Sequence, residues 1–291
     1  MSDATNELGE TSKTGLKKVR RLPPEVSILA VLIGIALVFE VIGWYVVGES
    51  FLGNKQRLSI IVLQVAVTGI IAVGVTQVII TGGIDLSSGS MVGFIAMVVA
   101  SFAQTSMNAR AVFLQPEYAA FGMDWFIDSS LLWPLLAGIL LGALLGYING
   151  LIIAKTGIPP FIATLGTGTV IYAVAMWHSG GRQVVGELPE SFVALAGADL
   201  LGLPVGAFYV AAVALALWLL TEYTPLGRAL YVIGANPKAA ELNGISVRRH
   251  VMGAFVASGL LSGFAGVLLA SRLQIGQASA NYVPVDAQCR L

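Results

Sequence analysis

Cysteine, histidine and charge are all scarce in this chain. The single cysteine, Cys289, excludes an internal disulfide and any cysteine-rich metal centre. The two histidines, His178 and His250, stand far apart, and no His-Glu-x-x-His pattern occurs. No Gly-x-x-x-x-Gly-Lys-Ser/Thr segment is present, so the chain does not hold ATP through a P-loop. Nor is there a Gly-x-Ser-x-Gly turn or a Cys/His pair spaced for nucleophilic catalysis. An enzyme buried in the membrane therefore has no supporting motif. Charged residues make up only 11% of the 291 positions. A soluble domain carries about 25%, and a water-facing surface cannot be built from less than half of that. The formal net charge is +0, which leaves no global field to attract nucleic acid.

What the chain has in excess is apolar length. Hydrophobic residues account for 56% of it, and mean hydropathy is +0.84. Apolar runs at about 26–47, 58–80, 91–106, 131–153, 161–178, 204–220 and 251–271 predict seven membrane-spanning helices. About 20 helical residues cross a ~30 Å hydrocarbon core, so the third run is short for the task. The first run is too long for a signal-peptide core, and no small-x-small cleavage site follows it. Long apolar/polar alternation is absent, which argues against a β-barrel. In lipid, a backbone that must satisfy its own hydrogen bonds is left with helices. The fold class expected is an all-α polytopic transmembrane bundle.

Residues 1–25 are polar and basic, with Lys13, Lys17, Lys18, Arg20 and Arg21 before Pro23-Pro24. They read as a disordered cytoplasmic tail. Placing that tail inside puts ten cations in cytoplasmic segments against six outside, as the positive-inside rule requires. Seven spans then leave the C-terminus outside. Residues 26–278 form the expected transmembrane domain, and 279–291 an atypical end.

Four segments stand out. The connection Thr221–His250 is too apolar for a free linker. Within it, Asn236 as N-cap and Pro237 in the first turn predict a short helix over 238–243, closed by Gly244. That helix is either a docking element or a structured loop with no partner. The turn Thr81–Ser90, TGGIDLSSGS, carries Gly82 and Gly83 for close backbone approach. Its Asp85, Ser87 and Ser88 can each cap the next helix, and Asp85 could instead touch a substrate. A carboxylate this near hydrocarbon must sit at the surface or be paired. Gly138, Gly142, Gly146 and Gly150 line one helix face at i, i+4 spacing, and Gly259, Ser262, Gly263 and Gly266 form a similar ridge. Both predict tight helix contact. Finally, Pro159-Pro160 starts a helix whose Thr164, Gly166, Thr167, Gly168 and Thr169 form a small polar face open to close approach.

Polar groups inside spans include Glu40, Gln64, Gln77, Asn149, Thr164, Thr167 and Tyr172. Hydroxyls and amides suit a neutral polyol, since they donate and accept without a countercharge. Interhelical hydrogen bonding explains them equally well. Gln64, Asn149, Thr164, Thr167 and Tyr172 are the candidates for a substrate pathway. Glu40 could instead carry a proton.

Three segments together resemble the ribose/xylose/arabinose/inositol-type permeases of bacterial ABC importers. They are TQVIITGGIDLSSGSMVG (76–93), NGLIIAKTGIPPFIATLGT (149–167) and GRALYVIGANPKAAELNGISV (227–247). The resemblance runs from the first span to about Ala278. It implies a dimer of permease chains in the bacterial inner membrane and a periplasmic sugar-binding protein outside. It also implies a cytoplasmic ATP-binding subunit that docks on a short coupling helix. ATP and magnesium would sit on that partner, with no cofactor and no catalytic or metal-ligating residue in this chain. In ABC importers the coupling helix carries a Glu-Ala-Ala-x-x-x-Gly pattern. Ala239, Ala240 and Gly244 match it, while Lys238 stands where the glutamate would be. The docking residues implied are Arg228, Asn236, Pro237, Ala239, Ala240, Glu241 and Gly244. Family members continue past the seventh span with a Gly-rich segment and further helices. Here Val285-Asp286-Ala287 resembles a remnant of that segment, which implies a C-terminal truncation. Two rivals remain: a branched-chain amino-acid permease of the same architecture, and a proton-driven transporter using Glu40.

Overall fold

The computed structural model describes residues 24–108, 111–128, 131–186 and 188–278. The basic tail up to residue 23 and the end from 279, with Cys289, lie outside the described residues. The chain divides into two compact units, Met1–Leu58 and Ser59–Leu291.

In the first unit, α1 (Pro24–Ile42) is apolar on every side, as a helix bathed in lipid must be. It runs into a π-helical turn, Gly43–Val47, which ends at Gly48 with φ 75°. Glu40 sits near this end. Its Oε2 accepts the backbone N–H of Leu52 at 2.7 Å, and its Oε1 accepts Nε1–H of Trp44 at 3.0 Å. The carboxylate that sequence left open as a proton carrier is occupied in closing the loop after α1. Asn54 then caps α2 (Lys55–Ile80) by accepting the N–H groups of Gln56 and Arg57.

The second unit continues α2 and adds α3 (Ser88–Ala103), the short α4 (Pro116–Ala119), α5 (Leu132–Thr156), α6 (Pro160–His178) and α7 (Glu190–Gly197). A two-residue antiparallel pairing, β1 (Asp199–Leu200) with β2 (Leu203–Pro204), precedes α8 (Val205–Tyr223). Then come α9 (Pro225–Ala235), α10 (Pro237–Leu242) and α11 (Val247–Leu273). The seven apolar helices fall on the seven expected spans. Among the described residues, six are long and apolar enough to cross a membrane; α3, with 16 residues, is the short one. At 1.5 Å per residue it covers about 24 Å of a ~30 Å core. The chain is an all-α, multi-pass membrane protein. Leu140, Leu144, Val170, Leu215 and Trp218 are all exposed along the bundle, an arrangement water would not tolerate but lipid does.

The long helix α11 is the most buried of the six long spans. It runs antiparallel to α5, and the two glycine ridges meet. A Cβ placed on Gly142 would lie 2.7 Å from Cα of Gly263, one on Gly146 would lie 3.0 Å from Cα of Gly259, and one on Gly150 would lie 2.9 Å from Cα of Met252. Neighbours here are backbone, which cannot swing away, so only hydrogen fits. Further along, Gly138 packs on Val267 of α11 and Val99 of α3. Gly266 turns from α5 toward Ile95 of α3, so α3 is the third member of the contact. Met91, Val92, Ile95, Met97 and Val99 of α3 are fully buried there with Val267 and Leu268 of α11.

The glycine contact makes a contrast testable. Gly142→Ala is expected to lower stability by about 1–3 kcal/mol, the range for overpacking a filled interface. Gly166→Ala, on an α6 face where an added Cβ meets nothing within 4 Å, should be neutral or slightly stabilising. Thermal melts of the detergent-solubilised chain, followed by size-exclusion chromatography, read the difference.

Candidate functional site

The turn between α2 and α3 is the polar centre of the bundle. Gly82, with φ 79°, lets the chain leave α2, and Gly83 packs under Val78 and beside Pro160. Asp85 follows, buried. Its Oδ1 accepts the N–H and the hydroxyl of Ser87, at 3.0 and 2.6 Å. Its Oδ2 accepts the hydroxyl of Ser258 on α11 at 2.9 Å. Ser87 Oγ in turn accepts Nδ2–H of Asn149 on α5 at 2.7 Å. From α6, Thr164 accepts the N–H of Leu86 at 3.1 Å and donates to the carbonyl of Ile84 at 3.3 Å. Asp85, Ser87, Asn149, Thr164 and Ser258 are all buried, and they tie one turn to α5, α6 and α11.

Of the two possibilities left for Asp85, surface or paired, the second holds. Its partners are hydroxyls and a backbone N–H, all of which donate to its carboxyl oxygens. It holds the backbone of Ser87, which precedes α3, and Ser87 itself makes no side-chain cap. The Oδ1 of Asn149 has no partner among the described residues.

The five pathway candidates separate. Asn149 and Thr164 are drawn into this knot, and their polar groups are used on the turn. Thr167 is half-buried and donates to the carbonyl of Thr164 at 3.2 Å. Gln64 and Tyr172 lie on exposed faces of α2 and α6 and do not join the others. The small polar face of α6 divides in the same way. Thr164 and Gly168, one turn apart, meet the turn at Ile84–Leu86 and at Ser87, while Gly166 and Thr169 face outward. Ser258 was not singled out from sequence. It sits in a run of small residues that reads as packing, and its partner is 173 positions away.

At one end of the bundle, α9 and α10 fill most of the connection 221–250. Helix α9 is capped by Thr224, which accepts the N–H of Gly227 at 3.3 Å. It is amphipathic. Ala229, Leu230 and Ile233 are buried, with Leu230 packed among Val78, Ala254 and Phe255, while Arg228, Tyr231 and Val232 are exposed. Gly234 lies directly against the carbonyl of Ile80, the last residue of α2, where a side chain would not fit. Asn236 then caps α10, accepting the N–H of Ala239 at 3.1 Å, with Pro237 in the first turn. The helix closes through Gly244, at φ 78°, with the N–H of Ile245 on the carbonyl of Ala240 at 3.0 Å. Ala240 is fully buried. Pro237, Lys238, Glu241, Leu242 and Asn243 are exposed, Leu242 at 83%. The helix is the one expected at 238–243, shifted by one residue.

The far end of α6 carries a second polar cluster. His178 lies about 21 Å along the helix from Thr164, at 1.5 Å per residue. Its Nε2 is 3.0 Å from the hydroxyl of Ser101, and its Nδ1 is 2.9 Å from the hydroxyl of Tyr118. Burial and the adjacent Glu117 carboxylate push the Tyr118 phenol above its ordinary pKa, so it stays protonated. Buried Gln104 accepts the N–H of Val112 at 2.8 Å and donates to the carbonyl of Val185 at 2.9 Å. These groups wall a cavity of about 540 Å³ that also meets Gln115, Arg182 and the exposed ring of Trp177. No spacing in the sequence marks this cluster, because its members come from the ends of α3 and α6 and from the two connections that follow them.

The comparisons with known proteins place this geometry. Residues 57–287 match the family described as "Branched-chain amino acid transport system / permease component". The chain belongs to this family. It is 34% identical over 238 residues to the galactose/methyl galactoside import permease protein MglC of Haemophilus influenzae, a match covering 78% of this chain and 66% of that one. It is 34% identical over 233 residues to the D-allose transport system permease protein AlsC of Escherichia coli, covering 80% and 64%. With the ribose import permease protein RbsC of H. influenzae the identity is 32% over 258 residues, covering 88% and 71%. The chain thus spans about two thirds of the length of the curated relatives it matches. No solved structure matches.

The role of Asp85 as a tie yields a paired test. Asp85→Ala strands the Ser87 N–H and two hydroxyls, and should cost about 3 kcal/mol or more, from three buried donors left without acceptors at ~1–3 each. Asp85→Asn keeps one acceptor oxygen and should stay within about 1 kcal/mol of the parent. Thermal melts in detergent compare the two; equal losses would show that the charge, not the tie, holds the turn.

Proposed function

We propose that this chain is the permease subunit of an ATP-binding-cassette importer that moves a monosaccharide or polyol across a bacterial inner membrane by alternating access. The observation that carries this reading is α10. It is a short, firmly capped helix whose exposed face has no packing partner among the described residues, and its supporting helix α9 bears directly on the end of α2. Such an element is built to receive force from another subunit. The three relatives, named for galactose, allose and ribose, support the sugar class over branched-chain amino acids. The hydrogen bonds of Glu40 to Trp44 and Leu52 give it a local structural task, which removes the motive for a proton-driven reading.

The chain has its N-terminus in the cytoplasm, and the α9–α10 end faces the same side. A separate cytoplasmic ATP-binding subunit docks there, against Lys238, Glu241 and Leu242, with Arg228 alongside. That subunit holds ATP and magnesium and performs the hydrolysis; this chain is not an enzyme. Its motion moves α10, and α9 passes it through Gly234 to Ile80 and Thr81. The turn that follows is tied by Asp85, Asn149, Thr164 and Ser258 to three further helices. One displacement at the surface therefore reaches α3, α5, α6 and α11 together. The outward end carries the 540 Å³ cavity, toward which a periplasmic sugar-binding protein delivers its load. A second permease chain completes the pathway, to which Gln64, Thr167 and Tyr172 contribute from faces not used in the knot.

The docking face is tested by Leu242→Glu. The substitution lies on an exposed residue, so the melting temperature of the solubilised chain should not change. Recovery of the ATP-binding subunit by affinity purification from mild detergent should fall by about tenfold, equivalent to ~1.4 kcal/mol. Unchanged recovery would place the ATPase elsewhere. The ligand carried by a co-purified binding protein would name the sugar.

A further inference from the structure

A groove of about 350 Å³ opens between α8, α9 and α11, at the end of the bundle that carries α10. Its walls are Leu217 and Leu220 of α8, Leu226 and Leu230 of α9, and Ala254 and Ala257 of α11. One polar group reaches its floor, the amide of Gln77. That amide is already engaged, donating to Thr221 Oγ1 at 3.1 Å, while Thr221 donates to the carbonyl of Leu217 at 2.6 Å. The interior therefore has nothing to offer a polar solute.

The mouth is different. It is formed by Ser246, Arg249 and His250, at the first turn of α11. Ser246 precedes the helix without a side-chain cap; its carbonyl accepts the N–H groups of Arg249 and His250 at 3.1 and 3.3 Å and lies 2.9 Å from His250 Nδ1, which leaves the N–H groups of Val247 and Arg248 without an acceptor among the described residues at the end that Arg249 lines. Both features favour an anion. No carboxylate lines the groove. From Arg249 to Ala257 the groove follows α11 for about 12 Å, against ~15 Å for the hydrocarbon of one leaflet.

We propose that this groove is a binding site for an anionic phospholipid. One acyl chain lies against the leucines, and the phosphate sits at the Arg249 guanidinium, beside His250, and at the N–H groups of Val247 and Arg248. A free phosphate would satisfy the mouth and leave the apolar walls bare; a zwitterionic lipid would fill the walls without the charge match. Basic pockets between membrane helices at the surface are a recognised setting for acidic headgroups. A lipid seated here is wedged between α9 and the two helices it packs on. It would thus set how freely α9 moves.

The test uses the full chain in detergent and needs neither an ATPase nor a sugar, so it stands or falls separately from the transport reading. Native mass spectrometry and thermal melts are run with phosphatidylglycerol, phosphatidylcholine or inorganic phosphate added. The expected result is retained phosphatidylglycerol and a raised melting temperature, with neither effect from the other two. Arg249→Gln should weaken phosphatidylglycerol binding about tenfold. Gly253→Leu, at the groove and where an added Cβ meets nothing within 4 Å, should do the same by filling the space without changing charge. The proposal is overturned by equal binding of the two lipids or by inorganic phosphate acting as well as phosphatidylglycerol. Undiminished binding in either variant overturns it as well.

Discussion

Everything in the second unit depends on two helices touching backbone to backbone in a solvent that gives them no reason to. Lipid is as apolar as leucine, so burial of side chains does not drive α5 and α11 together. Contact area does, and area between helices is largest where side chains vanish. The glycine ridges supply that surface, with Gly142 over Gly263 and Gly146 over Gly259. With this axis in place, α3 can lay its buried face against both helices at once. Only then do Ser258 and Asn149 stand at the same level, close enough for one turn to bridge them.

The bridge has a physical logic of its own. A carboxylate in apolar surroundings is costly unless its hydrogen-bonding capacity is met. Asp85 meets it with hydroxyls and one amide N–H, not with a cation. Hydroxyls are short, and their bonds fix distance as well as charge. The result is a junction that is rigid in position yet made of few atoms. The Gly234 contact on Ile80 ends one residue before this junction begins. Surface helix, α2 terminus and buried junction are consecutive links.

The helices were legible in the sequence because hydrophobic length is a property of each segment alone. Boundaries agree within a few residues, and the shortness of α3 shows in the run itself. The glycine ridges were legible for the same reason: i, i+4 spacing is local, and so is the Asn236-Pro237 start of α10. What failed to show was anything set by distant partners. Asp85 could be read as requiring a partner, but Ser258 could not be named. The pairing of Gln77 with Thr221 joins residues 144 positions apart. The outer cluster of Ser101, Tyr118 and His178 has no signature at all. Amides and hydroxyls chosen as pathway candidates proved to be of two kinds, and only the packing of α3 against α5 and α6 separates them. Helix α9 was read as an apolar stretch of loop; its amphipathic face becomes meaningful only over Leu230's neighbours on α2 and α11.

The shortness of α3 bears on how the protein is made. A segment of 16 residues headed by a carboxylate is a poor candidate to settle in a bilayer as it leaves the ribosome. Its acceptors of contact, α5 and α11, are translated later, and the hydroxyl of Ser258 comes last of the partners of Asp85. Until nearly half of α11 is in place, the carboxylate of Asp85 lacks its interhelical donor. The contacts that bury the third span are therefore complete only once the seventh is present.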